Sequence, residues 1–302
     1  MQATTLGADT HAVFTEPYQM NLILQTPAGS PPAPGTIAAL AALASEQAPR
    51  PIAPHVWRCE DVRGTRDVRE AMAAQAFADG VDAAFVAPSS RLTDFGLLVM
   101  DMDSTLITIE CIDEIADMQG LKPQVAAITE AAMRGELEFR DSLLRRVALL
   151  KGLDAGALQR VIDERLRLSP GAETMLAAVR AAGMKTLLVS GGFTFFTQRM
   201  QARFGLDYTR ANELEIAGGK LTGRVLGEII DAQAKRRTVE STCSLLGLTP
   251  ARAIVMGDGA NDLEMMAIAG MSVAFRAKPV VRQKADVALN FVGLDGILAL
   301  FE

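Results

Sequence analysis

A short apolar run that ends in two carboxylates constrains this chain more than any other feature. In Phe95-Gly-Leu-Leu-Val-Met-Asp101-Met-Asp103-Ser104, an uncharged apolar stretch stops at Asp101 and Asp103. Such a run reads as a buried strand, parallel to its neighbours and covered on both faces. The C-terminal end of such a strand is where open α/β sheets bind ligands. Two carboxylates placed there repel each other, so a positive partner is expected. A divalent cation such as Mg²⁺, which takes oxygen ligands, is the first candidate.

Two further strands end in the same way. Thr186-Leu-Leu-Val-Ser190 is followed by Gly191-Gly192, and Ala253-Ile-Val-Met-Gly-Asp258 runs into Gly-Ala-Asn261-Asp262. Between them, Asn212 to Val225 contains Gly218-Gly219 and reads as a hairpin. Ser272–Phe275 and Asp286–Leu289 add two short strands. The segment from Glu110 to about Leu168 carries apolar residues at helical spacing and is predicted to be almost wholly helical. The fold class is therefore α/β, a Rossmann-like parallel sheet with a helical insert after its first strand, spanning residues 95–302.

Residues 18–90 read differently. Met20–Thr26, Val56–Val62 and Val81–Val86 are predicted strands, with helices over about Thr36–Glu46 and Asp67–Ala78. This is a small α+β domain, preceded by a loose tail over residues 1–17. With 302 residues, the chain holds two domains of ordinary size.

Composition closes off several classes of function. The net charge of −6 argues against nucleic acid as a general partner, because phosphate backbones are held by clustered Lys and Arg. The longest alanine-rich run, Ile37–Ala44, is far too short to cross a bilayer, so no membrane association is expected. Cys59, Cys111 and Cys243 are too few and too scattered for a zinc site or a disulfide framework, which predicts a reducing cytoplasm. Only two histidines occur, His11 and His55, both outside the α/β region, so histidine-dependent catalysis there is nearly excluded.

Carboxylates, a lysine and hydroxyls remain. An aspartate is a competent nucleophile toward phosphorus and forms an aspartyl-phosphate. That reaction needs positive charge and N–H groups on the phosphoryl oxygens, and an acid for the leaving alkoxide. Ser190 and the Gly191 N–H at a helix start, and Lys235 in Asp231-Ala-Gln-Ala-Lys235, suit the phosphate.

Asp101-Met-Asp-Ser-Thr-Leu106, Ser190-Gly-Gly192, Lys235 and Gly257-Asp-Gly-Ala-Asn-Asp262 resemble, in order, the four motifs of the haloacid dehalogenase superfamily. Glu110-Cys-Ile-Asp-Glu-Ile115, Ser142-Leu-Leu-Arg-Arg146 and Ala277-Lys-Pro279 extend the resemblance to its phosphoserine phosphatase branch, over roughly residues 95–300. The resemblance implies a Mg²⁺-dependent hydrolysis of O-phospho-L-serine, the last step of serine biosynthesis. Asp101 is implied as nucleophile and Asp103 as general acid and base. Side chains of Asp101 and Asp258, with the Asp103 carbonyl, would hold the metal, and Asn261 and Asp262 would support it. Ser190, Gly191 and Lys235 would hold the phosphate. The insert resembles the family's cap, in which Glu110 would meet the substrate ammonium, Arg146 its carboxylate, and Met133 and Phe139 its apolar flank. Arg146 suits that task because a guanidinium meets a carboxylate with two parallel bonds.

Other readings of these positions stay open at this level. Glu110 also reads as a first-turn acid favoured by the helix dipole, Arg146 as a surface charge, and Met133 and Phe139 as core. At the level of function, two alternatives stand beside phosphoserine hydrolysis. One is a superfamily phosphatase or phosphotransferase acting on another small phosphomonoester; the other is an inactive amino-acid-binding regulatory protein. The small domain, by its β/α alternation and its position, is similar to an ACT-type module. It would bind an amino acid, pair two copies into a homodimer, or brace the catalytic domain.

Overall fold

The computed structural model describes residues 19–133 and 136–302, so the expected tail over residues 1–17 lies outside the described residues. The small domain runs β1 (Gln19–Gln25), α1 (Thr36–Ala42), β2 (Arg50–Ala53), β3 (Val56–Arg63), α2 (Arg66–Ala78) and β4 (Asp82–Val86). Its four strands pair antiparallel in the order β2-β3-β1-β4. This βαββαβ path is the ferredoxin-like arrangement, and it bears out the α+β expectation. Strand β2 is not legible in the sequence: Arg50-Pro-Ile-Ala53 is a mostly exposed edge with no alternation of apolar residues.

Period-two alternation gives the small sheet two different faces. Leu22 and Leu24 pack under the helices with Leu40, Met72 and Ala76. Ile23, Ala84 and Val86 point the other way and join the core of the large domain. Asp82 strengthens that junction. Its carboxylate accepts the Asn290, Phe291 and Val292 N–H groups at 2.6, 2.9 and 2.9 Å, and the Asn290 side-chain amide at 3.2 Å.

The large domain begins with β5 (Leu97–Met100) and then the insert: α3 (Cys111–Asp117), α4 (Lys122–Met133), α5 (Phe139–Leu149) and α6 (Gly156–Arg160). It continues with α7 (Ala172–Ala181), β6 (Lys185–Phe193), α8 (Thr194–Phe204), the hairpin β7 (Tyr208–Ala217) and β8 (Lys220–Leu226), and α9 (Ala232–Leu245). Strand β9 (Ala253–Gly257), α10 (Leu263–Met266), β10 (Met271–Phe275), α11 (Pro279–Lys284) and β11 (Val287–Leu289) complete it. The sheet order is β11-β10-β9-β5-β6-β7-β8, parallel except for β8.

All four residues of β5 are fully buried, because the strand is covered on both faces. Leu98 and Met100 enter one core, Leu97 and Val99 the other. From β5 the chain builds outward through β6 and β7, then returns to place β9 on the opposite side of β5. Strand order reverses between β5 and β9, which opens a crevice at their C-terminal ends. Among the described residues, no helix is long and apolar enough to cross a membrane.

Candidate active site

Four chain segments converge on that crevice. Asp101 follows β5 and is 5% exposed. Its Oδ1 accepts the Met102 N–H at 2.7 Å and lies 2.9 Å from Lys235 Nζ. Lys235 is fully buried, an arrangement a lysine tolerates only when paired. It is brought there by α9, whose N-cap Asp231 accepts the Ala234 N–H at 2.9 Å. Ala234, Lys235, Val239, Thr242 and Cys243 form the buried stripe of that helix.

Asp262, also fully buried, completes the pair. Its Oδ1 lies 2.7 Å from Lys235 Nζ, while Oδ2 accepts the Asp258 and Gly259 N–H groups at 3.1 and 3.0 Å. Both oxygens of Asp262 are thus committed to holding the lysine and the turn after β9. Asn261 shares that turn, with its amide oxygen against Gly259. Asp258 Oδ1 accepts the Thr105 hydroxyl at 3.2 Å. Asp101 and Asp258 therefore each keep one carboxylate oxygen without a hydrogen bond among the described residues.

This donor set fits a divalent cation. Ligand atoms of Asp101, Asp258 and Asp262 lie within 4.8 Å of one another. The surplus of negative charge registers in their acidities. Burial, then the nearby Asp262, pushes Asp101 well above the usual carboxylate range despite Lys235. Asp258 is pushed up to about 7 by burial and by Asp262. On Lys235, burial works to lower the pKa, and Asp101 and Asp262 outweigh it and raise it. A hard dication bound by oxygen would relieve that surplus. With Asp262 occupied, the free side-chain oxygens belong to Asp101 and Asp258.

Asp103 points elsewhere. Its Oδ1 accepts the Cys111 N–H at 3.1 Å, and burial followed by Glu110 raises its pKa to about 7. A Cβ added to Gly192 would stand 2.6 Å from Asp103 Oδ2, so that glycine permits close approach of the Ser190 turn. Within the turn, Ser190 Oγ accepts the Gly192 N–H at 2.8 Å. The strand does not end at Ser190: β6 runs through the glycines to Phe193, with its register against β7 broken between Val189 and Phe193. The sequence hides this, because Gly-Gly reads as a strand end and not as a bulge.

The insert brings its residues over the same cleft. Glu110 precedes α3, and its Oε1 accepts the Ser104 hydroxyl at 2.7 Å; Ser104 takes the left-handed φ of 56°. A Cβ on Gly191 would meet the Phe139 ring at 2.9 Å, so the ring sits directly over the turn. Arg146 is half-buried, with Nε donating to the Ser142 carbonyl at 3.4 Å. Burial lowers its pKa, while the nearby charges of Asp113, Glu110 and Asp103 act to raise it. Met133 closes α4, and its side chain lies outside the described residues.

Sequence reasoning missed Asn212, Ser104 and Thr105. Asn212 was legible only as the start of a hairpin, yet it is 1% exposed and bonds to both Gly191 and Ile230 at 2.8 Å. A lone amide among the residues of a strand beside the Ser190 turn was the available signal.

Known proteins are similar to this chain in sequence and in fold. The haloacid dehalogenase-like hydrolase family matches residues 98–267. A phosphoserine phosphatase of Polaromonas is 56% identical over 218 residues, covering 70% of this chain and 92% of that protein. Among solved structures, a haloacid dehalogenase family hydrolase of Salmonella enterica superposes with a TM-score of 0.83 at 32% identity, covering 94% of this chain and 99% of that one. A probable phosphoserine phosphatase of Vibrio cholerae gives 0.76 at 35%, covering 93% of this chain and 85% of that one. Both superpositions extend over the small domain. The chain belongs to the haloacid dehalogenase-like hydrolases and, within them, to the phosphoserine phosphatase family.

Proposed function

We propose that this chain hydrolyses O-phospho-L-serine to L-serine and phosphate through a phosphorylated Asp101, as the last step of serine biosynthesis in the cytoplasm. The observation that carries the reading is the fully buried Lys235, bonded at once to Asp101 and Asp262. A buried lysine whose charge is held by carboxylates is a preorganised seat for phosphoryl oxygens. Asp101 attacks phosphorus, and Asp103 protonates the departing serine oxygen. Asp103 then takes a proton from the water that releases phosphate from Asp101. Mg²⁺ bound by Asp101, Asp258 and the Asp103 carbonyl would supply positive charge to the transferring group. Ser190 and the Gly191 N–H hold the phosphoryl oxygens, with Asn261 supporting the metal turn.

Specificity comes from the cap. Arg146 pairs the substrate carboxylate and Glu110 its ammonium, with Met133 and Phe139 beside the substrate carbon chain. One structural relative, a substrate-bound phosphoserine phosphatase complex at 38% identity, supports that choice of substrate. The βαββαβ domain over residues 18–90 is read as an ACT-like regulatory module. Phosphate release from a panel of phosphomonoesters, with and without Mg²⁺, tests the whole reading. Phosphoserine should exceed substrates lacking either the ammonium or the carboxylate by at least about 10²-fold in kcat/KM, because unpaired buried polar groups reject such analogues. Equal rates across the panel would overturn it.

A further inference from the structure

We infer that Asn212 is a positioning residue for phosphoryl transfer: it anchors a hydrogen-bonded chain that aims the Ser190 hydroxyl. The inference rests on the reading of Ser190 and Lys235 as the phosphate seat. Asn212 belongs to none of the four motif segments. It lies within β7 opposite Phe193, at the point where the register of β6 against β7 resumes after the Ser190 bulge. A bulge leaves backbone groups unpaired, and one of these is the Gly191 carbonyl. Asn212 Nδ2 donates to that carbonyl at 2.8 Å. Its Oδ1 accepts the Ile230 N–H, also at 2.8 Å, just ahead of the α9 cap.

The direction of these bonds is the informative part. The Ile230 N–H donates to Asn212, and Asn212 donates to the Gly191 carbonyl. The same peptide unit then presents the Gly192 N–H, which donates to Ser190 Oγ at 2.8 Å. Every amide dipole in this sequence points the same way, so each bond polarises the next. A serine hydroxyl has one proton to donate. Because Oγ already accepts from Gly192, that proton is left for an oxygen in the cleft. Upstream, the Asp231 N–H donates to the Ile229 carbonyl at 3.1 Å, and Asp231 caps the helix that carries Lys235. Asn212 thereby locks two separate segments of the phosphate seat, the serine turn and the lysine helix, to each other from outside the cleft.

A buried asparagine that only satisfied backbone groups would have no reason to act through Ser190. The test is a double-mutant cycle of Ser190→Ala and Asn212→Leu in the full chain, assayed on phosphoserine and on an aryl phosphate. Thermal unfolding is measured alongside. Asn212→Leu should lower kcat/KM about thirtyfold on both substrates, somewhat less than loss of a direct oxyanion donor. L-serine binding, which uses the cap, should stay within about twofold, since it makes no use of Ser190. In the Ser190→Ala background the same substitution should cost less than about threefold, the mark of a shared pathway. Independent, multiplying losses would overturn the inference. A Ser190→Ala variant that keeps full activity and phosphate inhibition would instead sink the phosphate-seat reading, and the inference with it. Should the leucine variant not fold, Asn212→Asp reads out in the same cycle, since it keeps the shape and sets a lone pair against the Gly191 carbonyl.

Discussion

Asp82 at the domain junction and Asp101 at the crevice are both buried, but the protein treats them in opposite ways. Asp82 is 1% exposed, and its two oxygens accept four N–H donors. Burial raises its pKa, and those hydrogen bonds pull it part of the way back. Beside burial, the main influences on it are hydrogen bonds and not neighbouring acids. At the crevice, Asp101 and Asp258 each feel Asp262 as well as burial, and each retains an oxygen with no donor among the described residues. A fully satisfied buried carboxylate is a structural clamp. One left crowded and incompletely bonded costs stability and is retained for what it binds.

The contrast makes specific demands. Asp101→Asn should abolish turnover, by about 10⁴-fold or more, as loss of a nucleophile does. The melting temperature should hold or rise, because one charge leaves a crowded cluster. A large drop in melting temperature would make the crevice a structural site after all. Arg146→Ala should lower kcat/KM for phosphoserine about 10²-fold, the cost of unpairing a partly buried charge. For an aryl phosphate without a carboxylate, the loss should be under about threefold. Equal losses would remove the cap from the specificity argument.

Asp82→Ala should behave inversely to Asp101→Asn. Leaving four donors without an acceptor should cost about 2–4 kcal/mol in urea unfolding, while kcat stays within about twofold because none of its bonding partners belongs to the crevice. A collapse of kcat would join the junction to the active site.

Asp207 gives the smallest expected effect. Its carboxylate accepts Lys185 Nζ at 2.6 Å, the Thr186 N–H at 2.9 Å and the Thr186 hydroxyl at 3.0 Å. Burial would raise its pKa, but these bonds outweigh burial and hold it below the usual range. An acid with a depressed folded pKa adds stability above its unfolded pKa and loses it as pH falls through the folded one. Asp207→Asn should therefore melt about 2 °C lower at neutral pH, given solvent screening. The gap should close below about pH 4. A gap that persists in acid would assign the effect to packing.

Some of this was written plainly in the chain. The strands β5, β6 and β9 announce themselves because both faces are buried, so their residues are apolar without alternation. The carboxylates and glycines that follow them interrupt that pattern sharply. Edge strand β2 and the continuation of β6 past Gly191-Gly192 did not show. An exposed edge needs no apolar pattern, and a bulge is specified by the neighbouring strand. Lys235 was visible as a lysine on a helix, but its burial was not, since that depends on two aspartates from distant segments closing over it.

The sequence by itself determined the α/β fold class, the strand ends that carry the carboxylates and the family, because these rest on local hydrophobic period and on short contiguous motifs. Tertiary structure alone decided which oxygens are already taken. Among the described residues, Asp262 spends both of its own on Lys235 and the β9 turn, Asp101 and Asp258 keep one each, and Asn212 joins the serine turn to the lysine helix. Hydrogen-bond valence is settled by groups that are far apart in the chain and adjacent only after the sheet has formed.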